Sequence, residues 1–215
     1  MAKKKREPLS QERIVTAALL LIDAVGLEAF TTRALGKKLG VEAMAIYNHF
    51  ASKEELLDAV ADRLMSQTSL PTEGTWRERA RGLANSYRAL ARVHPHAFPL
   101  LATRRGILPG AYEMYDRVFG ATMAQGLDAF AVASVFRALA QYCTGTALYE
   151  INTTAAYAAG AAADLPDEVA ARLPNLAKVA AYFSPAHFDA LFHFGLESML
   201  DGFERTLLRR AAEQA

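Results

Sequence analysis

Met44, Tyr47, Asn48 and His49 crowd into the short stretch "VEAMAIYNHF", Val41 to Phe50. No nucleophile or paired carboxylate stands among them, so the chemistry they suit is recognition rather than bond-making. Placed on a helical wheel of about 100° per residue, Ile46 and Phe50 fall on one side. Met44, Tyr47 and Asn48 fall on the other, with His49 at the edge. Ala43 and Ala45 flank the outer side and are small enough to let a helix approach a surface closely. A face of this kind suits a DNA major groove, which is wide enough to admit a helix. Asn48 can make paired hydrogen bonds to an adenine edge, and Met44 and the alanines can meet thymine methyls. Tyr47, His49 and Lys53 can reach phosphates; Lys53 opens the next helix, whose free N–H groups favour an anion. Thr32 and Arg33 begin the preceding helix and are placed to grip the backbone of the opposite strand. Phosphate contacts position a protein on DNA, whereas base contacts specify the sequence.

The same residues also fit a plain helical hairpin with Tyr47 half-packed and Asn48 solvated. Helix-turn-helix geometry is weakly coded, and Lys37, Lys38 and Lys53 are offset by Glu42, Glu54 and Glu55. On the residues alone the two readings stand level.

Other candidate chemistry is sparse. His94-Pro95-His96 has no carboxylate or Cys close by in sequence, so a loop at a helix terminus is expected there. His187 and His193 are six apart, a spacing that does not place them on one helical face. Cys143 is the lone cysteine, which permits neither an intrachain disulfide nor a Cys-based zinc cage. No nucleophile sits in a recognisable elbow. Neither a metal, a cofactor nor an enzymatic activity is expected.

The elements that must hold the recognition stretch read as helices throughout, and the fold class expected is all-α. Ser10 caps a first helix over about 11–25, with Ile14, Ala18, Leu21, Ile22 and Val25 on its buried face. Gly26 follows as a C′ glycine. Thr31 and Thr32 open a second helix to about 39, with Leu35 and Leu39 inward, and Gly40 stops it. The third covers about 42–49. Ser52-x-x-Glu55 is a capping box before a fourth helix carrying Leu56, Val60 and Leu64. "SLPTEGT", 69–75, reads as a joint between domains. Helices are then expected over about 76–93, 96–103, 109–124, 127–152 and 185–210. "TTAAYAAGAAADLPDEVAARLPN" between the last two reads as a mobile loop with one weak helix near 166–173.

At 215 residues, 52% of them hydrophobic and carrying a net charge of +1, the chain can bury a substantial core in one or two domains. The near-neutral balance selects no partner, but "MAKKKRE" gathers Lys3, Lys4, Lys5 and Arg6. That run is either a solvated tail or an arm for phosphates or a minor groove. No apolar run approaches the roughly 18–20 residues that span a bilayer, and the basic start lacks a signal-like h-region. A cytoplasmic location with no membrane partner is expected.

"FTTRALGKKLGVEAMAIYNHFASKEELLDAV" resembles the DNA-binding segment of the TetR family of transcriptional regulators. There an "LGV" turn precedes a short recognition helix ending in Tyr-x-His-Phe, with a Lys at the start of the next helix. The match spans about 10–66. "TWRERARGLANSYRAL", "ATR" at 102–104 and "FHFGLESMLDGFERTL" are similar, more weakly, to the regulatory domain of the tetracycline repressor subgroup. With the basic run read as an arm over 1–9, the resemblance implies a helix-turn-helix domain over 10–68 and a ligand-binding and dimerisation domain over 69–215. It also implies a homodimer, joined by the helices at 127–152 and 185–210, on a palindromic double-stranded DNA operator.

The chain departs from that subgroup in three places. "FPLLATRR" carries Leu100 and Leu101 where tetracycline repressors place a His that holds a magnesium–drug chelate. The position of their drug-gripping Asn falls near Leu83. Gly36 stands in the second helix where Ala is usual, and Gly costs roughly 1 kcal/mol relative to Ala in a helix.

Effector-pocket candidates are aromatic and polar groups on otherwise apolar helices: Tyr87, Phe98, Thr103, Arg104, Tyr112, Tyr115, Phe119, Phe136, Tyr142, Thr146 and Glu150, with Leu83 and Leu100 from the resemblance. Tyr87 and Thr103 match pocket positions of the subgroup; taken singly, most of the others are equally well ordinary core. The function expected is a dimeric repressor released from its operator by a small-molecule effector. The alternative is a helical small-molecule-binding protein or enzyme without operator function. Activation rather than repression is left open.

Overall fold

The computed structural model describes residues 8–69, 71, 73–103, 111–160 and 165–214. The basic arm lies almost wholly outside them, as does Arg104. Eleven α-helices and two short 3-10 turns, at 181–183 and 185–187, make up the regular structure of the described residues, with no strand. In chain order the helices are α1 (Gln11–Val25), α2 (Thr32–Leu39), α3 (Ala43–Tyr47), α4 (Lys53–Met65), α5 (Trp76–Val93), α6 (Pro99–Thr103), α7 (Tyr112–Met123), α8 (Ala129–Ala158), α9 (Asp167–Arg172), α10 (Pro174–Ala180) and α11 (Phe188–Gln214). Contacts divide the chain into two compact units, one of 1–68 with 93–116 and the other of 69–92 with 117–215.

In the first unit the helix ends form where side chains or glycine satisfy the free backbone groups. The Ser10 side chain accepts from the Arg13 N–H, and that of Thr31 from Ala34 N–H. Gly40 closes α2 in the left-handed region, at φ 71°, where a side chain would be strained. Ser52 Oγ accepts from Glu55 N–H at 3.0 Å, while Glu55 Oε2 reaches back to Ala51 N–H at 2.5 Å. The capping box is therefore reciprocal, but one residue earlier than its usual form. α1 packs on α2 and α4, and α2 on α3, around Ile14, Ala18, Ile22, Phe30, Leu35, Ile46, Phe50, Leu56, Val60 and Leu64, all buried. Val25, expected inward, is exposed, because it sits in the last turn. Val15 and Leu19 are buried in its place, as suits a helix covered by two neighbours rather than one.

Gly36 has a packing reason. A Cβ there would lie 2.8 Å from the Val41 carbonyl oxygen and 3.2 Å from Ala43 N. The missing side chain lets α2 approach the turn that launches α3, and Val41 N–H donates to Gly36 O at 3.0 Å. What the sequence presents as a weak helix position is the condition for a close helix–turn contact.

The second unit is built on α5, α8 and α11. Ala84, Val135, Leu139, Cys143, Phe192, Leu196 and Leu200 form its core, with Trp76, Tyr87, Tyr142 and Phe203 packed against it. Burial pushes the Cys143 thiol up to about 12, so it remains a small apolar core group. The weak helix expected near 166–173 is α9, but the loop expected around it is corrected: α8 runs on to Ala158 and α10 follows α9, with 161–164 outside the described residues. Alanine is the strongest helix former, so "TTAAYA" propagates α8 until Gly160, at φ 90°. Pro174 begins α10 rather than ending α9, since the first helical position needs no N–H.

Candidate nucleic-acid interface

α3 presents the two faces expected. Ile46 and Phe50 are buried in the first unit, while Met44 is 72% exposed and Tyr47 38%. Asn48 is also exposed, and Ala43, Ala45 and His49 are half-buried. The helix is shorter than the 42–49 span expected, because Ile46 O accepts from both His49 N–H, at 2.9 Å, and Phe50 N–H, at 3.2 Å. That sharing tightens the chain after Tyr47. Asn48 keeps helical dihedrals, φ −72° and ψ −14°, so its side chain still belongs to the outer face.

Two side-chain ties hold this short segment, which could not keep its shape alone, and a third joins the residues that flank the helix pair α2–α3. Thr32 Oγ1 lies 3.4 Å from Tyr47 Oη, joining the first residue of α2 to the last of α3. Lys53 Nζ donates to Phe30 O at 3.0 Å and stands 5.4 Å from the centroid of the Phe30 ring. Of its three N–H donors, one is thus committed to the fold, which qualifies its expected role as a phosphate contact. Gln11 Nε2 donates to His49 O at 2.8 Å across 38 residues. No local signal points to Gln11, because its partner is a backbone carbonyl on a distant turn. Arg33, Lys37 and Lys38 are exposed on α2.

The His94-Pro95-His96 turn stands at a helix terminus as expected, but it has the carboxylate that its sequence neighbourhood lacks. His94 Nδ1 lies 2.6 Å from Asp23 Oδ2 and its Nε2 lies 3.1 Å from Gln67 Oε1. The His96 Nδ1 is 2.8 Å from Asp23 O. Both histidines thus secure the C-terminal turn of α1. Among the described residues no group of three potential metal ligands converges.

The effector candidates fall in both units. In the first, Phe98 and Leu100 are buried core. Thr103 is exposed and donates its hydroxyl to Leu100 O at 3.0 Å. Tyr112 is exposed, and burial together with the Asp62 carboxylate pushes the Tyr115 phenol up. In the second unit, Leu83 and Thr146 are half-buried. Tyr87 Oη lies 3.2 Å from Thr144 Oγ1, and the Phe119 and Phe136 rings meet edge to face at 5.0 Å.

Two candidates are claimed by the core. The Tyr142 hydroxyl donates to Phe192 O at 2.8 Å and its ring stacks on Phe192 at 5.7 Å, so it braces α8 against α11. Glu150 is not a free pocket carboxylate. It is buried against Arg88, which donates from Nε at 2.9 Å and from Nη2 at 2.6 Å. Arg88, itself buried, also meets Asp189 at 2.7 Å and lies over the Phe192 ring at 4.4 Å. In sequence Arg88 passes for a surface residue of an amphipathic helix. Nearby, Asn85, Arg88, Ala89, Arg92, Asp189 and His193 line a cleft of about 290 Å³. Farther along α11, Glu197 takes two hydrogen bonds from Arg81 and one from Arg77, and these guanidiniums hold its carboxyl at about 2.

Comparison with known proteins places this geometry. Residues 14–60 match the family described as bacterial regulatory proteins, tetR family, and 68–207 match the tetracyclin repressor-like C-terminal domain. The chain is 33% identical to the tetracycline repressor protein class D of Escherichia coli, over 91% of this chain and 89% of that one. It is 29% identical to the HTH-type transcriptional repressor DrrR1 of Streptomyces coeruleorubidus, over 96% and 82%. Among solved structures it is similar to ActR of Streptomyces coelicolor in complex with actinorhodin, at TM-score 0.77 and 27% identity, covering 93% of this chain and 97% of ActR. A TetR variant of Acinetobacter baumannii in complex with minocycline aligns at TM-score 0.72 and 28% identity, covering 93% and 98%.

Proposed function

Because the chain belongs to the TetR family of bacterial regulatory proteins, we propose that it is a homodimeric transcriptional repressor that leaves its operator when a small molecule binds. The DNA-reading role falls to 10–68, and effector binding and dimerisation to 69–215. The observation that carries the reading is the division of α3, with Ile46 and Phe50 buried and Met44, Tyr47 and Asn48 turned outward. Asn48 reads an adenine edge, Met44 meets thymine methyls, and Tyr47, Thr32 and Arg33 hold phosphates. With few hydrogen-bonding groups on that face, DNA shape contributes to selectivity. Two recognition helices in a dimer address half-sites roughly 34–36 Å apart.

The dimer is supported by large apolar side chains left exposed on α8 and α11: Phe130 and Tyr149 on the first, Leu191 and Phe194 on the second. Effector binding releases DNA by favouring the state in which the recognition helices are spread, which requires unequal affinity for the two states. The relatives' complexes with actinorhodin and minocycline support a polycyclic aromatic effector here. Phe119, Phe136 and the Tyr87–Thr144 hydroxyl pair offer matching stacking and polar groups. Leu100 and Leu101, in place of a chelate-holding His, argue for an effector bound without magnesium.

The test is selection of a duplex from a random pool by the full chain, followed by a gel-shift titration with and without actinorhodin or minocycline. A palindromic duplex bound specifically and released by one of these compounds is the expected result. Selection of no duplex at low salt would return the chain to a ligand-binding protein without operator function. Specific binding that neither compound disturbs would remove the effector class alone.

A further inference from the structure

We infer that Gln11 is a positioning residue for base reading: it does not read DNA itself but fixes the end of the recognition segment that does. The inference rests on the reading of α3 as the groove-entering helix. α3 has five residues, too few to keep its own rotation and end geometry. One side is pinned by Ile46 and Phe50 in the core. The Tyr47 hydroxyl is met by Thr32, and Ala51 N–H by Glu55. Between those anchors stand Asn48, which meets a base edge in the proposed docking, and His49. Their hold includes the shared carbonyl of Ile46 and the bond from Gln11 Nε2 to His49 O at 2.8 Å.

That bond has a fixed sense. A carbonyl oxygen only accepts, so the donor must be the amide nitrogen of Gln11. Gln11 is the first residue of α1, whose Ile14, Ala18 and Ile22 are wholly buried. Through its side chain a helix anchored in the core holds the exit of α3. A paired Asn–adenine contact tolerates little angular error, because both hydrogen bonds must be made at once. Loss of the tie therefore weakens discrimination among bases more than it weakens attraction to the phosphate backbone.

The experiment uses the full chain and the duplex it selects from a random pool. Affinity is measured for that duplex, for versions carrying single base-pair substitutions, and for a scrambled duplex, with wild type, Gln11→Met and Gln11→Ala. Met keeps the length of Gln and its helix preference but cannot donate. Expected for both variants is about a threefold to tenfold loss on the selected duplex, the equivalent of one exposed hydrogen bond. Binding to the scrambled duplex stays unchanged, the penalties for substituted base pairs shrink, and Tm stays within about 2 °C. An equal loss on every duplex would make Gln11 a phosphate contact and overturn the inference. So would unchanged binding throughout, or a fall in Tm that tracks the fall in affinity. If wild type selects no duplex, the docking of α3 fails before any variant is made, and the inference falls with it.

Discussion

Arg88 and Glu150 face each other 2.6 Å apart with both side chains buried, one on α5 and the other on α8. A buried pair adds little net stability relative to a well-packed apolar pair, but breaking it leaves the buried Arg88 charge with only the largely exposed Asp189 as its counter-charge. Glu150→Ala is expected to destabilise the protein by roughly 3–5 kcal/mol, read as a shift of the urea midpoint. The double variant Arg88→Met, Glu150→Leu should recover most of that loss. If Glu150→Ala costs no more than an ordinary surface change, the pair is not the brace inferred from its geometry.

Acid titration should expose the Arg77–Arg81–Glu197 cluster. The folded carboxyl of Glu197, at about 2, lies below its ordinary 4.5. A depressed carboxylate stabilises the fold above its unfolded value, and that contribution is lost as pH falls from about 4.5 through about 2. Its side chain is 37% exposed, so the effect is screened and should shrink in high salt. Thermal melts between pH 2 and 6 should show a steeper decline for wild type than for Glu197→Gln. Parallel profiles for the two proteins would refute this.

Removing the Asn48 amide, proposed to read a base, should leave the fold intact. Asn48 is exposed and is the C-cap residue of α3. Asn48→Ala is predicted to cost about 1–3 kcal/mol of binding to the selected duplex and to relax specificity at one base position per half-site. Far-UV circular dichroism should be unchanged. Full retention of affinity and specificity would remove Asn48 from the interface.

Gly195 and Tyr142 should behave as one unit. A Cβ on Gly195 would stand 2.3 Å from the Tyr142 hydroxyl and 2.9 Å from the ring carbon that bears it. Gly195→Ala must displace the phenol from its bond to Phe192 O, and a loss of about 1–3 kcal/mol is expected. Adding Tyr142→Phe removes the closest atom and should recover part of that loss. A double-mutant cycle measures the coupling; strictly additive losses would show that the two do not meet.

Phe194, in the second turn of α11, is 75% exposed, more than any other described large hydrophobic on that helix. If this face joins two copies, Phe194→Glu places like charges opposite each other at the interface. Sedimentation should then show monomer where wild type sediments as dimer, with specific DNA affinity falling in parallel. An unchanged oligomeric state would move the dimer interface elsewhere.

Much of the first unit was legible because its signals are local. Ser10, Thr31, Ser52 and Gly40 cap or stop helices through neighbours within a few residues, and the spacing of Leu56, Val60 and Leu64 states which face is buried. The outward face of α3 followed from rotation alone. What local pattern could not show was partnership across distance. The Lys53 ammonium bonds a carbonyl 23 residues away, and Gln11 reaches one 38 residues away. The carboxylate for His94 comes from Asp23, on a different helix. Among the effector candidates, apolar helices offered more aromatic and polar residues than a pocket needs. Only packing separated Tyr142 and Glu150, which brace the core, from the others.

By itself, then, the sequence determined the helical class, nearly all helix boundaries before residue 93, and the two faces of α3. Each depends on backbone propensity, capping and periodicity, which act within one or two turns. The tertiary structure alone decided that Gly36 is required by a close turn, that Arg88 is buried beside Glu150, and that Gln11 and Lys53 serve the frame of α3. Those roles depend on which groups meet after the chain has folded, and a donor at one position carries no mark of the acceptor that folding brings to it.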